Sequence, residues 1–422
     1  MNKGKENILV LNVHEKDPEL MNDFADFNAE QLIKCFGSGS VFYFSDSVTE
    51  HGIKKTETMI KKAILEGGVS VVFFAPNGDN YELSVGFFRE LSEAFGVKTV
   101  LLVLDDDLIF DVHTKYYSQV FDAVITADYY ATFAYRKLGV PALYYFSSYR
   151  KADFYPVQVA KDIDVSFVGD CTKCDRMEYV EYLRRHGVRV MLFGDGSPGG
   201  FVRKQDMPVI FSRSRINLNF TRLDRASSKA WFLEENSLTN LMRQNKGRPM
   251  EISLTRSFCL TEYSPSLEAS FEIEKEIDVF RDREELLSKV CYYLANDDIR
   301  EQMAENAYRK AVNFYEADVF MPRLVEDLRK ILEGASYPQR SREIYTDTAF
   351  KMNHTIRLFI ISFYQLSRLR VRNALEAARR AMQYGGLITL GAFFKAARIS
   401  LARKVSKVKT WRARRARACE ST

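Results

Sequence analysis

Val165-Ser-Phe-Val-Gly-Asp-Cys-Thr-Lys-Cys-Asp-Arg176 begins as a continuous apolar run, passes through a glycine-containing polar loop and ends where a helical pattern starts. A short run with no polar alternation is a strand covered on both faces, and strand–loop–helix in that order is one βα unit of a parallel sheet. The same signature recurs downstream. Further strands are expected at Val188–Phe193, Ile216–Phe220, Ser257–Thr261 and Ile277–Phe280. Helices are expected at Arg176–His186, Asp206–Arg213, Arg248–Leu254, Arg283–Ala295, Ile299–Phe314 and Val319–Glu333. Upstream, apolar runs at Ile8–Val13, Val41–Phe44, Val69–Ala75, Val97–Leu104, Ala123–Thr126 and Ala142–Phe146 alternate with helical stretches in the same way. Between the two series, Ser147 to Asp162 is polar, aromatic and stopped by Pro156, as a linker would be.

The expected organisation is therefore an α/β chain with two Rossmann-like lobes. The first spans residues 1–146, a linker spans 147–163, the second lobe spans 164–334, and a basic helical extension spans 335–422. A chain of 422 residues and 48.7 kDa is long enough for two cores. Hydrophobic residues at 46% and charged residues at 28% exclude a disordered or fibrous chain. The six cysteines (35, 171, 174, 259, 291 and 419) follow no disulfide-framework spacing, which suits a reducing cytosol. Cys171 and Cys174 lack the second pair a zinc site would want and read as ordinary thiols. No secretory signal is read at the N-terminus, and no run reaches the roughly 18 apolar residues of a spanning helix, so the chain is not expected to cross a membrane.

Charge is unevenly placed. From Lys351 onward there are 17 Lys and Arg against two acids, whereas the first 350 residues carry 44 basic and 54 acidic side chains. Within the extension, Leu387, Leu390, Phe394, Ala397, Leu401 and Val405 fall on one helical stripe, and Lys395, Arg398, Arg403 and Lys404 flank or oppose it. A basic amphipathic helix points to an anionic membrane surface through residues 385–417, with packing on the body or non-specific nucleic-acid attraction as the alternatives. The extension lacks interleaved aromatics and any RNA-binding motif, which argues against specific nucleic acid.

Chemistry-bearing residues gather in the loops of the second lobe. Gly169, Lys173 and Arg176 sit where a helix N-terminus meets a strand, a place that favours anions, although a plain βα turn has the same look. Gly194, Asp195 and Gly196 follow the next strand in a run with four glycines in seven residues, through which backbone can approach a bulky ligand. In Gln244-Asn-Lys-Gly-Arg-Pro-Met-Glu-Ile-Ser-Leu254, Lys246 and Arg248 precede a helix with Pro249 in its first turn, and Glu251 follows. Two readings fit: simple capping of that helix, or cations for a diphosphate and a carboxylate for a ribose diol. In the first lobe, Asp105, Asp106 and Asp107 close the fourth strand; they suit a divalent cation, a base toward a hydroxyl, or a solvated loop. His14, just past the first strand, is a further candidate base.

Taken together, "DVSFVGD…R", "INLNF", "KGRPMEI", "FCLTEYSPSLE" and "EIDVFRDREELLSKVCYYLANDDIREQMAENAYRKAV" resemble the C-terminal domain of family 1-like glycosyltransferases of the spore-maturation, CgeB-like type, over about 170 residues. "LLVLDDD" and "FDAVITAD" are similar to that family's N-terminal half. The resemblance implies the GT-B architecture, with a nucleotide-diphosphate sugar held mainly by the second lobe and an acceptor hydroxyl presented by the first. It implies that Glu251 takes the ribose hydroxyls, that Arg176, Lys246 and Arg248, with Lys173, face the diphosphate, and that the base lies near Gly194 to Gly196. It implies no cofactor beyond the sugar nucleotide, no metal, and a cytoplasmic bacterial protein acting in surface polysaccharide, glycolipid or glycoprotein synthesis. Better-known retaining relatives carry Glu seven residues before the ribose Glu; here that position is Gln244. A non-catalytic assembly protein that retains the fold is the alternative.

Overall fold

The computed structural model describes residues 6–13, 24–76, 81–146, 148–173, 175–223, 242–245, 247–334 and 344–402. The first sheet is built from β1 (Ile8–Asn12), α1 (Phe24–Phe36), β2 (Gly39–Tyr43), α2 (Phe44–His51), α3 (Ile53–Gly67), β3 (Val71–Phe74), α4 (Val85–Phe95) and β4 (Lys98–Val103). A broken helical stretch follows, α5 (Asp106–Ile109) and α6 (Lys115–Tyr117), and then β5 (Ala123–Thr126), α7 (Tyr129–Lys137) and β6 (Ala142–Tyr144). The strands lie in the order β2-β1-β3-β4-β5-β6, each pair parallel. The second sheet uses β7 (Ile163–Val168), α8 (Arg176–Arg185), β8 (Val190–Phe193), α9 (Met207–Arg213), β9 (Ser214–Asn219), α10 (Arg248–Leu254), β10 (Cys259–Glu262) and β11 (Asp278–Phe280). Its order is β11-β10-β9-β7-β8, again all parallel. Both sheets start 2-1-3 in their own numbering, so each has a switch point beside its first strand, and ligands of such sheets bind outside the strands' carboxyl ends there.

Three helices complete the body: α11 (Arg283–Ala295), α12 (Asp297–Lys310) and α13 (Ala317–Gly334). The first two close the second sheet. The third crosses back, so that Met321, Leu324, Val325, Leu328 and Leu332 join Ile8, Val10, Phe73 and Val100 in the core on one face of the first sheet. The chain thus passes between lobes a second time, and the two passages touch: Tyr149 bridges to Glu316, and the Ala317 amide donates to the Tyr149 carbonyl at 3.1 Å.

The expected runs fall close to the observed strands. Phe44 differs: it opens α2 and is fully buried in the first lobe's core. A helix there continues the burial that the apolar run signalled, with a different backbone.

The first part of the extension packs on the body, one of the alternatives read for it. Helix α14 (Thr348–Ser367) inserts Phe350, fully buried, into the first lobe's core, with its ring 4.6 Å from that of Tyr116. Helix α15 (Val371–Gly385) packs antiparallel to it, and Arg380 holds Glu57 of α3 through two bonds of 2.8 and 2.7 Å. With one short break at Gly386–Ile388, α15 runs on into a helical rod, Val371–Ala402, of 32 residues. By length and composition alone that rod is able to cross a membrane, although its apolar residues are not consecutive, which hid it from a search for unbroken runs. Because Phe350 is part of the first lobe's interior, Phe350→Ala should cost about 3–5 kcal/mol. Chemical denaturation followed by near-ultraviolet circular dichroism checks this; a loss below about 1 kcal/mol would mean the extension is only loosely attached.

Candidate active site between the lobes

The carboxyl ends of β4 and β5 in the first lobe face the loops that precede α10 and follow β10 in the second. A cleft lies between them, lined by Asp107, Asp128 and Tyr130 on one side and Arg243, Gln244, Asn245 and Ser266 on the other. Its most direct link between lobes is Gln244, whose amide nitrogen donates to Asp105 at 2.7 Å and to Asp107 at 3.0 Å.

The second-lobe wall is fixed by a buried carboxylate. Glu262, 2% exposed at the end of β10, accepts from the amides of Thr221 (2.9 Å) and Arg222 (3.0 Å) and pairs with the Arg243 guanidinium at 2.7 Å. Arg222 in turn pairs with Asp175 at the mouth of the β7 loop. The Gln244 amide donates to the Thr221 carbonyl at 2.9 Å, so the same anchor sets the side chain that reaches the first lobe. Ser266 adopts φ 72°, a left-handed conformation that costs a non-glycine residue energy, in the loop that forms the cleft's rim.

Helix α10 starts as its sequence dictates, with Pro249 where a missing N–H is harmless. Glu251, 2% exposed, is paired with Arg248 three residues earlier, and the buried Tyr149 from the linker also bonds it. Burial first, and the Glu251 charge second, hold the Tyr149 proton well above the usual phenol range, so Tyr149 is a hydrogen-bond donor to that carboxylate. The Arg248 guanidinium also lies 5.6 Å from the centre of the Phe211 ring and 3.2 Å from the Met207 sulfur. Cation and carboxylate, expected to act on different parts of a ligand, thus hold each other, Tyr149 being the third member of the group.

The remaining expected residues are placed as follows. Lys173 is part-exposed, 3.8 Å from Asp170. Arg176 is 8% exposed, donates to the Asp170 carbonyl at 2.8 Å and lies 5.5 Å from the Phe167 ring centre, so it braces its own loop. Gly194 has φ 110° and touches Gly169: a Cβ there would stand 2.3 Å from the Gly169 carbonyl oxygen. A Cβ on Gly196 would meet the Thr172 methyl at 2.4 Å, and the Cys171 amide donates to the Asp195 carbonyl at 2.8 Å. These glycines let the β7 and β8 loops pack on each other, a local cause for the glycine-rich run that needs no ligand. His14 and Lys246 lie outside the described residues, as do Cys174 and residues 403–422.

Among the three aspartates, Asp106 is corrected. It is 2% exposed and turned into the first lobe, where Thr114 and Tyr135 (2.7 Å) donate to it; Asp105 and Asp107 are the two that face the cleft. Burial raises the Asp106 carboxyl to about 6, with the donors Thr114, Thr126 and Tyr135 opposing the shift. An acid with a raised folded pKa binds more protons folded than unfolded between pH 3.8 and 6, so its contribution to stability falls as pH rises through that window. The effect is about 3 kcal/mol. Asp106→Asn, which keeps an acceptor for Thr114 and Tyr135, should flatten the stability profile between pH 4 and 6; an unchanged slope in urea titrations at those pH values would contradict it. Among the described residues, no three His, Cys, Asp or Glu side chains converge as a metal site. Asp107 stands in the aspartate run and Gln244 in the segment already singled out from sequence, whereas Arg243, Glu262 and Tyr149 were not among the candidates; only their position at strand ends and helix starts signalled them.

Residues 176–326 match a family model described as glycosyl transferase-like. No curated protein matches the chain. Three solved structures share the two-lobed architecture. A glycosyltransferase from Rickettsia africae ESF-5 superposes with a TM-score of 0.56 at 10% identity, covering 78% of this chain and 100% of that one. HepE of Anabaena in complex with UDP gives 0.54 at 12%, covering 77% and 100%. Sucrose-phosphate synthase from Thermosynechococcus elongatus gives 0.53 at 12%, covering 78% and 100%. The fold is therefore GT-B, two Rossmann-like lobes, here with a helical C-terminal region.

Proposed function

We propose that the protein is a glycosyltransferase that moves a hexosyl group from a nucleoside-diphosphate sugar to an acceptor hydroxyl, without a metal, and that its finer kinship is with the CgeB-like type. The observation that carries this reading is the meeting, in one interlobe cleft, of Gln244 with Asp105 and Asp107, beside an α10 that bears Arg248 and Glu251 and lies within the glycosyl transferase-like match. UDP bound to HepE in the same architecture supports a nucleotide donor.

On this reading Glu251 takes the ribose hydroxyls on binding, exchanging its contact with Arg248 for two O–H donors and freeing the guanidinium to turn to the diphosphate. Arg243 and Arg248 then offset charge that grows on the leaving diphosphate, the role a metal would otherwise fill. Asp105 or Asp107 accepts the acceptor's proton, and Gln244 moves from these carboxylates to a sugar hydroxyl. The acceptor is a glycan or lipid-linked hydroxyl of a bacterial surface polymer, glycolipid or glycoprotein, and the basic extension places the protein on the cytoplasmic side of an anionic membrane. Calorimetric titration of UDP, GDP and their common sugar conjugates into the full-length protein tests the reading. Micromolar to sub-millimolar binding of one nucleotide family is expected. No binding at millimolar ligand would remove the donor site and favour a non-catalytic role.

A further inference from the structure

The helical rod carries two opposed faces from its break onward. Ala392 and Ala396 are fully buried and Ile399 is half-buried, all in the cluster they form with Ile356, Phe359 and Ile360 of α14. Turned away from that cluster, Leu387, Leu390, Phe394 and Leu401 stand open to solvent, Leu387 completely. At ~100° per residue Leu390, Phe394 and Leu401 span an arc of about 40°, roughly opposite the buried alanines. Lys395 and Arg398, both exposed and without an ion pair among the described residues, lie beside the stripe. Residues 351–402 carry nine Lys and Arg against one acid, and the sequence that follows adds eight more against one.

We infer that this stripe docks on an anionic bilayer, with the helix lying in the membrane plane. The inference deepens the membrane partner named above by fixing its surface and mode. A contiguous row of large apolar side chains, held rigidly away from the core, needs a cover. The cations beside and after it are complementary to acidic headgroups, and apolar burial combined with charge is how interfacial helices bind. The flat mode follows from the packing: one side of the rod is occupied by α14, through Ala392 and Ala396. The hairpin is fastened to the first lobe by Phe350, by Arg380 on Glu57, and by Gln365, which donates to the carbonyls of Val48 (2.9 Å) and Thr49 (2.8 Å). Docking therefore brings the first lobe, rather than the second, against the lipid.

Flotation of the full-length protein with vesicles of phosphatidylcholine alone, or with one quarter phosphatidylglycerol, tests this. Binding to the acidic vesicles only, falling steeply from 50 to 500 mM NaCl and released by high salt, is expected. The exposed double variant Leu390→Glu/Phe394→Glu should lower partitioning at least tenfold while its melting curve and its UDP titration match the unsubstituted protein. Equal binding of that variant, or equal binding to neutral vesicles without salt dependence, overturns the inference. So does a solution mass that falls from dimer to monomer in the variant, which would make a second copy the cover. The nucleotide titration on the same samples reads the donor site separately, so either reading can fail alone.

Discussion

Glu251→Gln is expected to weaken binding of the preferred nucleoside diphosphate at least tenfold while leaving the fold in place. The carboxylate sits 2% exposed at the start of α10, with Arg248 and Tyr149 as its partners. A glutamine of the same shape keeps the Tyr149 donor satisfied, but its amide end cannot accept from two ribose hydroxyls and no longer balances the Arg248 charge. One charge-assisted hydrogen bond contributes about 1.5–3 kcal/mol, and about 1.4 kcal/mol is a factor of ten. Tyr149→Phe separates the two causes. It removes a donor to Glu251 without touching the charge, so it should weaken binding less than Glu251→Gln does. Isothermal titration of the two variants side by side decides the matter: if Glu251→Gln binds as tightly as the unsubstituted protein, Glu251 serves only as partner to Arg248 and the ribose assignment falls.

The second large effect is expected at the aspartates that face the cleft. Asp105→Asn and Asp107→Asn each leave a side chain of the same size able to meet Gln244, so structure should be kept. Whichever of the two takes the acceptor's proton should lose about 10²–10⁴-fold in turnover with little change in nucleotide affinity. The other should change KM for the acceptor more than kcat. Donor turnover measured with each variant, once a sugar nucleotide and acceptor are in hand, gives the answer. Losses under fivefold in both would leave the proton to another group, Asp128 being the next carboxylate on the cleft. Burial pushes Asp128 up from its usual range, against the amides of Ala131 and Tyr130.

Much of the fold could be read because its strands are short apolar runs and its helices have clear starts. Arg248–Leu254 and Arg283–Ala295 form helices with the expected bounds, since Pro249 and Asp282 mark where each begins; the Asp282 carboxylate caps the latter by accepting from the Glu285 amide at 2.8 Å. The site was legible only as neighbourhoods. In Asp105-Asp106-Asp107 three identical side chains leave the chain end of β4 in different directions, and local sequence has no means of saying which one turns inward. Gln244 meets two of them across a separation of 139 and 137 residues, a contact set by how two sheets face each other. Arg248 and Glu251 are three apart on one helix and their pairing was open to reading. Assigning each to a different part of a ligand passed over the simpler fact that opposite charges so spaced find one another first. The glycines at 194 and 196 also have a local use: their freedom lets two loops of one lobe touch.

The two crossings between lobes run side by side, joined where Tyr149 meets Glu316 and Ala317. A door hung on one pin can twist as well as swing; hung on two, it swings about the line between them. Cutting the chain anywhere in residues 148–162 would therefore leave both halves tied through α13, and a nicked sample should migrate as one body in a sizing column yet as two pieces once denatured. Neither half is a separable module, because α13 delivers to the first sheet a wall of its interior that is encoded after the second.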